Sequence, residues 1–89
     1  KLLYVEVLSH DLIYHTKEKN YRIRGRMKDA ENELSSYGFI RIHKSFLVNV
    51  RYISTFRLGE IVLNDMKLPV GRAYKEKAME AYMRFLRNG

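Results

Sequence analysis

Between Arg41 and Ser45 the chain reads RIHKS, set inside the longer run FIRIHKSFLVNV from Phe39 to Val50. A guanidinium, an imidazole, an ammonium and a hydroxyl so close together offer hydrogen-bond donors and positive charge to an anion. The flanking residues say how such a group is held. Ile40 and Ile42 alternate with Arg41 and His43 in the period-two pattern of a half-buried strand, and Phe46, Leu47 and Val48 run on as a more deeply buried one. Lys44 and Ser45 therefore fall near a bend or strand end, where side chains leave the sheet and loops carry function.

A catalytic reading of the same residues is poor. His10, His15 and His43 are the only side chains that ordinarily titrate near neutrality, and no pair has the spacing of a helical metal motif. A Ser45, His43 and Asp65 set can be assembled on paper, but no nucleophile-elbow glycines surround Ser45, and no cysteine replaces it. The sequence reads as a protein without enzymatic activity, cofactor or metal, and His15, between Tyr14 and Thr16, as a plain sheet residue.

The scaffold must be one small domain. Eighty-nine residues with 46% hydrophobic content can enclose a single core. No apolar run reaches the length of a membrane span, and the opening LLYVEV carries no signal-peptide pattern. With no cysteine to build a disulfide, the chain reads as a soluble piece of a cytoplasmic protein. Net charge is +7, from 17 Lys and Arg against 10 Asp and Glu. Three of the acids, Asp29, Glu31 and Glu33, share one predicted helix, so the remainder is more basic still, with Lys17, Lys19, Arg22, Arg24, Arg26, Arg41, Lys44, Arg72, Lys75 and Lys77 at or near predicted turns and strand ends. Such a field attracts polyanions.

Leu2 to Val7 and Leu12 to Thr16 read as strands joined by a hairpin turn through Leu8, Ser9, His10 and Asp11; after the polar loop Lys17 to Asn20, a third strand covers Tyr21 to Arg24. From Met27 the period becomes helical, with Met27, Ala30, Leu34 and Tyr37 on one stripe and Gly38 positioned as the cap. The acidic face of this surface helix should point away from any nucleic acid. Beyond Val50, short strands are predicted over Ile53 to Arg57, Glu60 to Leu63 and Lys67 to Val70. Pro69, which lacks an amide hydrogen, marks an edge. A closing helix over Tyr74 to Leu86 buries Tyr74, Ala78, Ala81, Tyr82 and Phe85, with Met79, Met83 and Leu86 widening the stripe. Asn49 reads as a structural residue that satisfies backbone groups at a strand end. The fold class is thus mainly β, α+β by content, built of small antiparallel sheets with two helices.

The order LLYVEV, then RIHKSFLVNVRYI, then KLPVGRAY before a final helix resembles the LytTR DNA-binding domain found at the carboxyl end of bacterial response regulators, over nearly the whole of residues 1–89. The departure is at the front, where relatives commonly have one more strand before Leu2. The resemblance implies an elongated stack of antiparallel sheets, a cytoplasmic transcription regulator with an amino-terminal receiver domain, and double-stranded DNA as partner, bound by loops that enter successive major grooves, with two copies acting together on paired sites as is common for such regulators. It assigns base contacts to His10, Lys44 and Arg72, and phosphate contacts to His43 and Ser45. Arg41, Lys75, Lys17 and Lys19 would add less directional attraction. Arg72 is the strongest of these on physical grounds, because it follows Gly71 at a helix start and its planar fork matches the O6 and N7 edge of guanine; the competing role is an exposed ion pair with Glu76. Alternatives from other classes are an RNA or general polyanion module and a regulatory protein-interaction domain. The seven Tyr and four Phe fall mostly at core positions rather than in pairs on an exposed strand, against single-strand stacking.

Overall fold

The computed structural model describes residues 1–88, with Cα extents of 34 × 28 × 23 Å. Eight strands alternate with two helices: β1 (Leu2–Leu8), β2 (Asp11–Thr16), β3 (Asn20–Arg24), α1 (Met27–Leu34), β4 (Phe39–His43), β5 (Phe46–Asn49), β6 (Ile53–Arg57), β7 (Glu60–Leu63), β8 (Met66–Pro69) and α2 (Lys75–Asn88). They form two antiparallel sheets, one in the order β3-β2-β1-β5-β4 and the other β6-β7-β8. Pro69 lies on β8, an edge strand as its missing donor requires.

The larger sheet is covered on both faces, and successive residues sort between them as the pleat dictates, save where a bulge between Leu2 and Tyr4 sets Leu3 and Tyr4 on one side. Val5, Leu12, Phe39 and Leu47 face α1 and pack on Met27 and Ala30. Leu3, Tyr4, Ile42 and Val48 face the other way, onto Ile61, Leu63 and Leu68 of the small sheet and Ala78 of α2. Neighbours such as Tyr4 and Val5, or Leu47 and Val48, thus serve opposite cores. Phe46 is only half-buried, shallower than its place in an apolar run suggests.

Two helix readings need correction. The turn Ser35–Tyr37 is a tighter 3-10 turn, closed by Gly38 at φ 85°, so α1 stops at Leu34. The change of pitch swings Tyr37 off the apolar stripe and leaves it 69% exposed. At the other end a 3-10 turn over Arg72–Tyr74 precedes α2, while Met79, Met83 and Leu86 face solvent instead of widening the buried stripe. Asn49 is buried, and its amide donates to the Leu2 carbonyl at 3.0 Å while its oxygen accepts from the Arg51 amide at 3.1 Å.

Candidate nucleic-acid interface

The register fixes which loops share an end of the large sheet. Val7 pairs with Leu12, Glu6 with Phe46 and Asp11 with Arg24, so the β1–β2 turn, the end of β3 and the β4–β5 turn all lie together. At about 4.8 Å per strand the two turns are about 10 Å apart and the row from β3 to β4 spans about 19 Å. His10 is exposed in the first turn, where Ser9 takes φ 59°. Lys44 is exposed in the second, with Ser45 half-buried beside it.

The second turn is held from several sides. A bulge in β4 between Arg41 and His43 sets both Ile42 and His43 towards the small-sheet side, Ile42 in the core and His43 against Phe46 at 5.5 Å between ring centroids. The Ser45 amide donates to His43 Nδ1 at 3.0 Å, and Ser45's own carbonyl accepts from the Val7 amide at 3.0 Å. An Nδ1 that accepts carries no proton, so this arrangement belongs to the tautomer with its N–H on Nε2, a donor left over for a partner. His43 has no carboxylate partner among the described residues, and Asp65 lies in a turn of the other sheet, so the paper triad is not assembled. Burial pushes the phenol of Tyr4 up, with Glu6 adding to it, and Tyr4 stacks at 4.1 Å on His15, which bonds Glu6 at 2.9 Å as a sheet residue.

Arg41 is engaged within the domain. Its Nε donates to the His43 carbonyl at 2.8 Å, Nη2 to the Lys44 carbonyl at 2.7 Å and Nη1 to Glu31 of α1 at 2.8 Å, with the guanidinium 5.3 Å from the Tyr74 ring. Three of its five N–H groups are engaged and its side chain is 15% exposed, so it clamps the turn from inside the domain. Glu31 accordingly sits behind the Lys44 turn, not on a face remote from it.

Arg72 joins the same end through the backbone. The Gly71 amide donates to the Ile42 carbonyl at 2.7 Å, and a Cβ on Gly71 would stand 3.2 Å from Tyr74 Cδ2 and 3.5 Å from His43 Cδ2. The segment thus lies in van der Waals reach of His43, and only the approach to the Tyr74 ring is tighter than a side chain would ordinarily make. Arg72 is exposed and, among the described residues, makes no ion pair, with Glu76 or otherwise. Lys75, also exposed, shares a shallow depression with Arg72 and the Leu58–Gly59 turn.

Lys17 and Lys19 are not brought to this end. Leu2 pairs with Thr16, so their loop is at the far end of the sheet, about 15 to 20 Å away along β1 at about 3.3 Å per residue. There each ammonium lies 5.2 Å from a ring centroid, Lys17 over Tyr52 and Lys19 over Tyr21. Arg24 and Arg26 do lie at this end: with Ser9 and His10 they border an open groove over Val7 and Met27. Both were visible only as general basic charge; continuing the β2–β3 hairpin register to Asp11 and Arg24 would have brought them beside His10.

With this geometry in view, comparison with known proteins gives one family. Residues 1–83 match the LytTr DNA-binding domain. The chain belongs to that family. A Sensory transduction protein LytT of Bacillus subtilis (strain 168) is 33% identical over 70 residues, 70% of this chain and 28% of the relative, so the chain spans little more than a quarter of that protein's length. The fold is that of the LytTr DNA-binding domain of a putative methyl-accepting/DNA response regulator from Bacillus cereus, with a TM-score of 0.80 at 23% identity, covering 91% of this chain and 80% of the other. The mainly β architecture with two helices is therefore a LytTr domain, and its partner is DNA. Among the described residues no helix is long and apolar enough to cross a membrane, and no His, Asp and Glu group could hold a metal ion.

Proposed function

We propose that this LytTr domain reads duplex DNA sequence-specifically, as the output domain of a cytoplasmic two-component response regulator that acts on promoters. The observation that carries the reading is the row of exposed turns along one end of the large sheet, each presenting a side chain without an internal partner: His10, Lys44 and Arg72. A row about 20 Å long covers well over half of the ~34 Å helical turn of DNA. His10 and Arg72 reach base edges in the major groove from this row, and Lys44, between them, is placed to reach a guanine acceptor.

Roles then follow from side-chain chemistry. Arg72 takes the O6 and N7 edge of a guanine bidentately. His10 donates to or accepts from a base edge. His43 Nε2, the Ser45 hydroxyl, Lys75, Arg24 and Arg26 meet phosphates and fix the register. Arg41 acts indirectly by holding the turn that carries Lys44, and Lys17 and Lys19 contribute only at long range. The domain works by binding, without a chemical step. A signalling parent is supported by the sensory-transduction relative, of which this region is 28%, and the family resemblance supplies the receiver domain and paired copies on DNA.

Competition by duplex DNA, single-stranded DNA and RNA, repeated across a salt series, tests this reading. Duplex should compete best, with log affinity falling against log salt by about 0.9 for each phosphate neutralised and a total slope of several phosphates. Better competition by RNA, or binding indifferent to salt, would contradict it. Duplexes with one and two selected sites in an ultracentrifuge separate paired from single copies.

A further inference from the structure

Leu58 stands at the tip of the β6–β7 hairpin and is 79% exposed, the most exposed large apolar side chain of the described residues. It does not serve the fold: the adjacent Gly59 takes the φ of 87° that the turn needs, and the hydrogen bond that ties the turn down is between backbones, the Val70 amide donating to the Gly59 carbonyl at 3.0 Å. That bond fixes the Leu58 tip to the segment leading directly into Gly71 and Arg72. Leu58, Arg72 and Lys75 consequently border one shallow depression. An apolar tip is thereby presented beside two cations, next to the Arg72 that belongs to the row of turns.

On the reading that Arg72 enters a major groove, we propose that Leu58 contacts DNA in that groove and packs against the C5 methyl group of a thymine. The argument is one of elimination among the surfaces DNA offers there. Phosphate oxygens need donors, which Arg72 and Lys75 supply and a leucine cannot. Base edges in the major groove present nitrogen and oxygen acceptors and amino donors; the thymine methyl is their one apolar group. A leucine held beside a guanine-reading arginine therefore finds its complement in a neighbouring thymine, within about two base pairs given the ~3.4 Å rise of each strand. The domain would in this way prefer, near the guanine it reads, a thymine recognised through its methyl group, which hydrogen bonding does not sense.

The experiment uses duplexes carrying the selected site in which each thymine is replaced, one at a time, by deoxyuridine, which differs only by the methyl. Titration of the wild-type domain should show one replacement near the Arg72-dependent guanine that weakens binding about fourfold, the loss expected for one buried methyl-sized group. The Leu58→Ala variant should bind thymine and uracil versions of that site alike while keeping the wild-type unfolding temperature, since the side chain touches no core. A wild-type domain indifferent to every replacement, a Leu58→Ala variant with undiminished methyl sensitivity, or a selected site lacking thymine near that guanine would each overturn the assignment. Arg72→Ala run in parallel distinguishes the two levels. If it loses affinity and guanine discrimination while the uracil scan is flat, only the role of Leu58 fails; if it binds like wild type, the groove reading beneath it fails.

Discussion

Arg41→Met removes the guanidinium while keeping most of the stem. The loss is three charge-assisted hydrogen bonds, to the carbonyls of His43 and Lys44 and to the Glu31 carboxylate. Each such bond is worth about 1.5 to 3 kcal/mol when both partners are shielded. Here the two carbonyls belong to a turn that water can reach, and the Glu31 side chain is 37% exposed, so solvent recovers much of that sum. A net loss of about 2 to 3 kcal/mol remains, given that Arg41 itself is 15% exposed and also lies over Tyr74. In a domain this small that lowers the unfolding midpoint by roughly 10 to 20 °C. Calorimetry or thermal circular dichroism measures it, and a salt titration with duplex well below the midpoint supplies the second readout. Affinity should fall because the Lys44 turn loosens, yet the salt slope should stay at its wild-type value, since no phosphate contact is removed. The reverse pattern, an unchanged midpoint with a slope reduced by about 0.9, is what a phosphate-bound Arg41 gives and would refute the clamp.

Arg72→Lys and Arg72→Ala should both lose about 1 to 3 kcal/mol against the selected site, with relaxed discrimination at one guanine, because an ammonium keeps the charge but not the fork; a fully discriminating lysine variant would remove the base-reading role. His43→Ala should shift the unfolding midpoint far less than Leu47→Ala, whose side chain is fully buried and whose truncation costs about 2 to 5 kcal/mol, while only the histidine variant should bind duplex weakly at a temperature where both are folded. Lys44→Ala should lower the salt slope, whereas the Lys17→Ala, Lys19→Ala double variant should leave it within error of wild type, and equal reductions would mean that the far end of the sheet also meets DNA.

The elements were legible in the sequence because each rests on local signals. Alternation around Ile40 and Ile42, the helical stripe through Met27 and Ala30, and the punctuation at Gly38 and Pro69 are all encoded within a few residues. What escaped depends on chain segments that meet only after folding. Arg41 in an alternating strand reads as solvent-facing; its clamp role needs Glu31, ten residues earlier on a helix whose docking face the sequence does not state. Lys17 and Lys19 carry the same charge as Arg24 and Arg26, and only the β1–β2 and β2–β3 register sends one pair to the far end of the sheet and the other to His10. The placement of Gly71 against His43 likewise joins residues 28 apart, through a single backbone hydrogen bond to Ile42. Tyr37 was lost for a different reason: one turn of tighter helix before Gly38 shifts the phase of the stripe.

The most direct test of the central claim is residue-resolved: backbone amide chemical shifts of the labelled domain, followed as a duplex containing the selected site is added. The row of turns should respond together, with the largest changes at Ser9 to Asp11, Lys44 to Ser45 and Gly71 to Ala73, and smaller ones at Arg24 to Arg26 and Lys75, while Lys17 to Asn20 and the exposed face of α2 beyond its first turn stay put. A scrambled duplex of the same length should produce weaker changes at the same positions. Shifts concentrated in the Lys17 to Asn20 loop or along α2 beyond its first turn, with the three turns silent, would contradict the account.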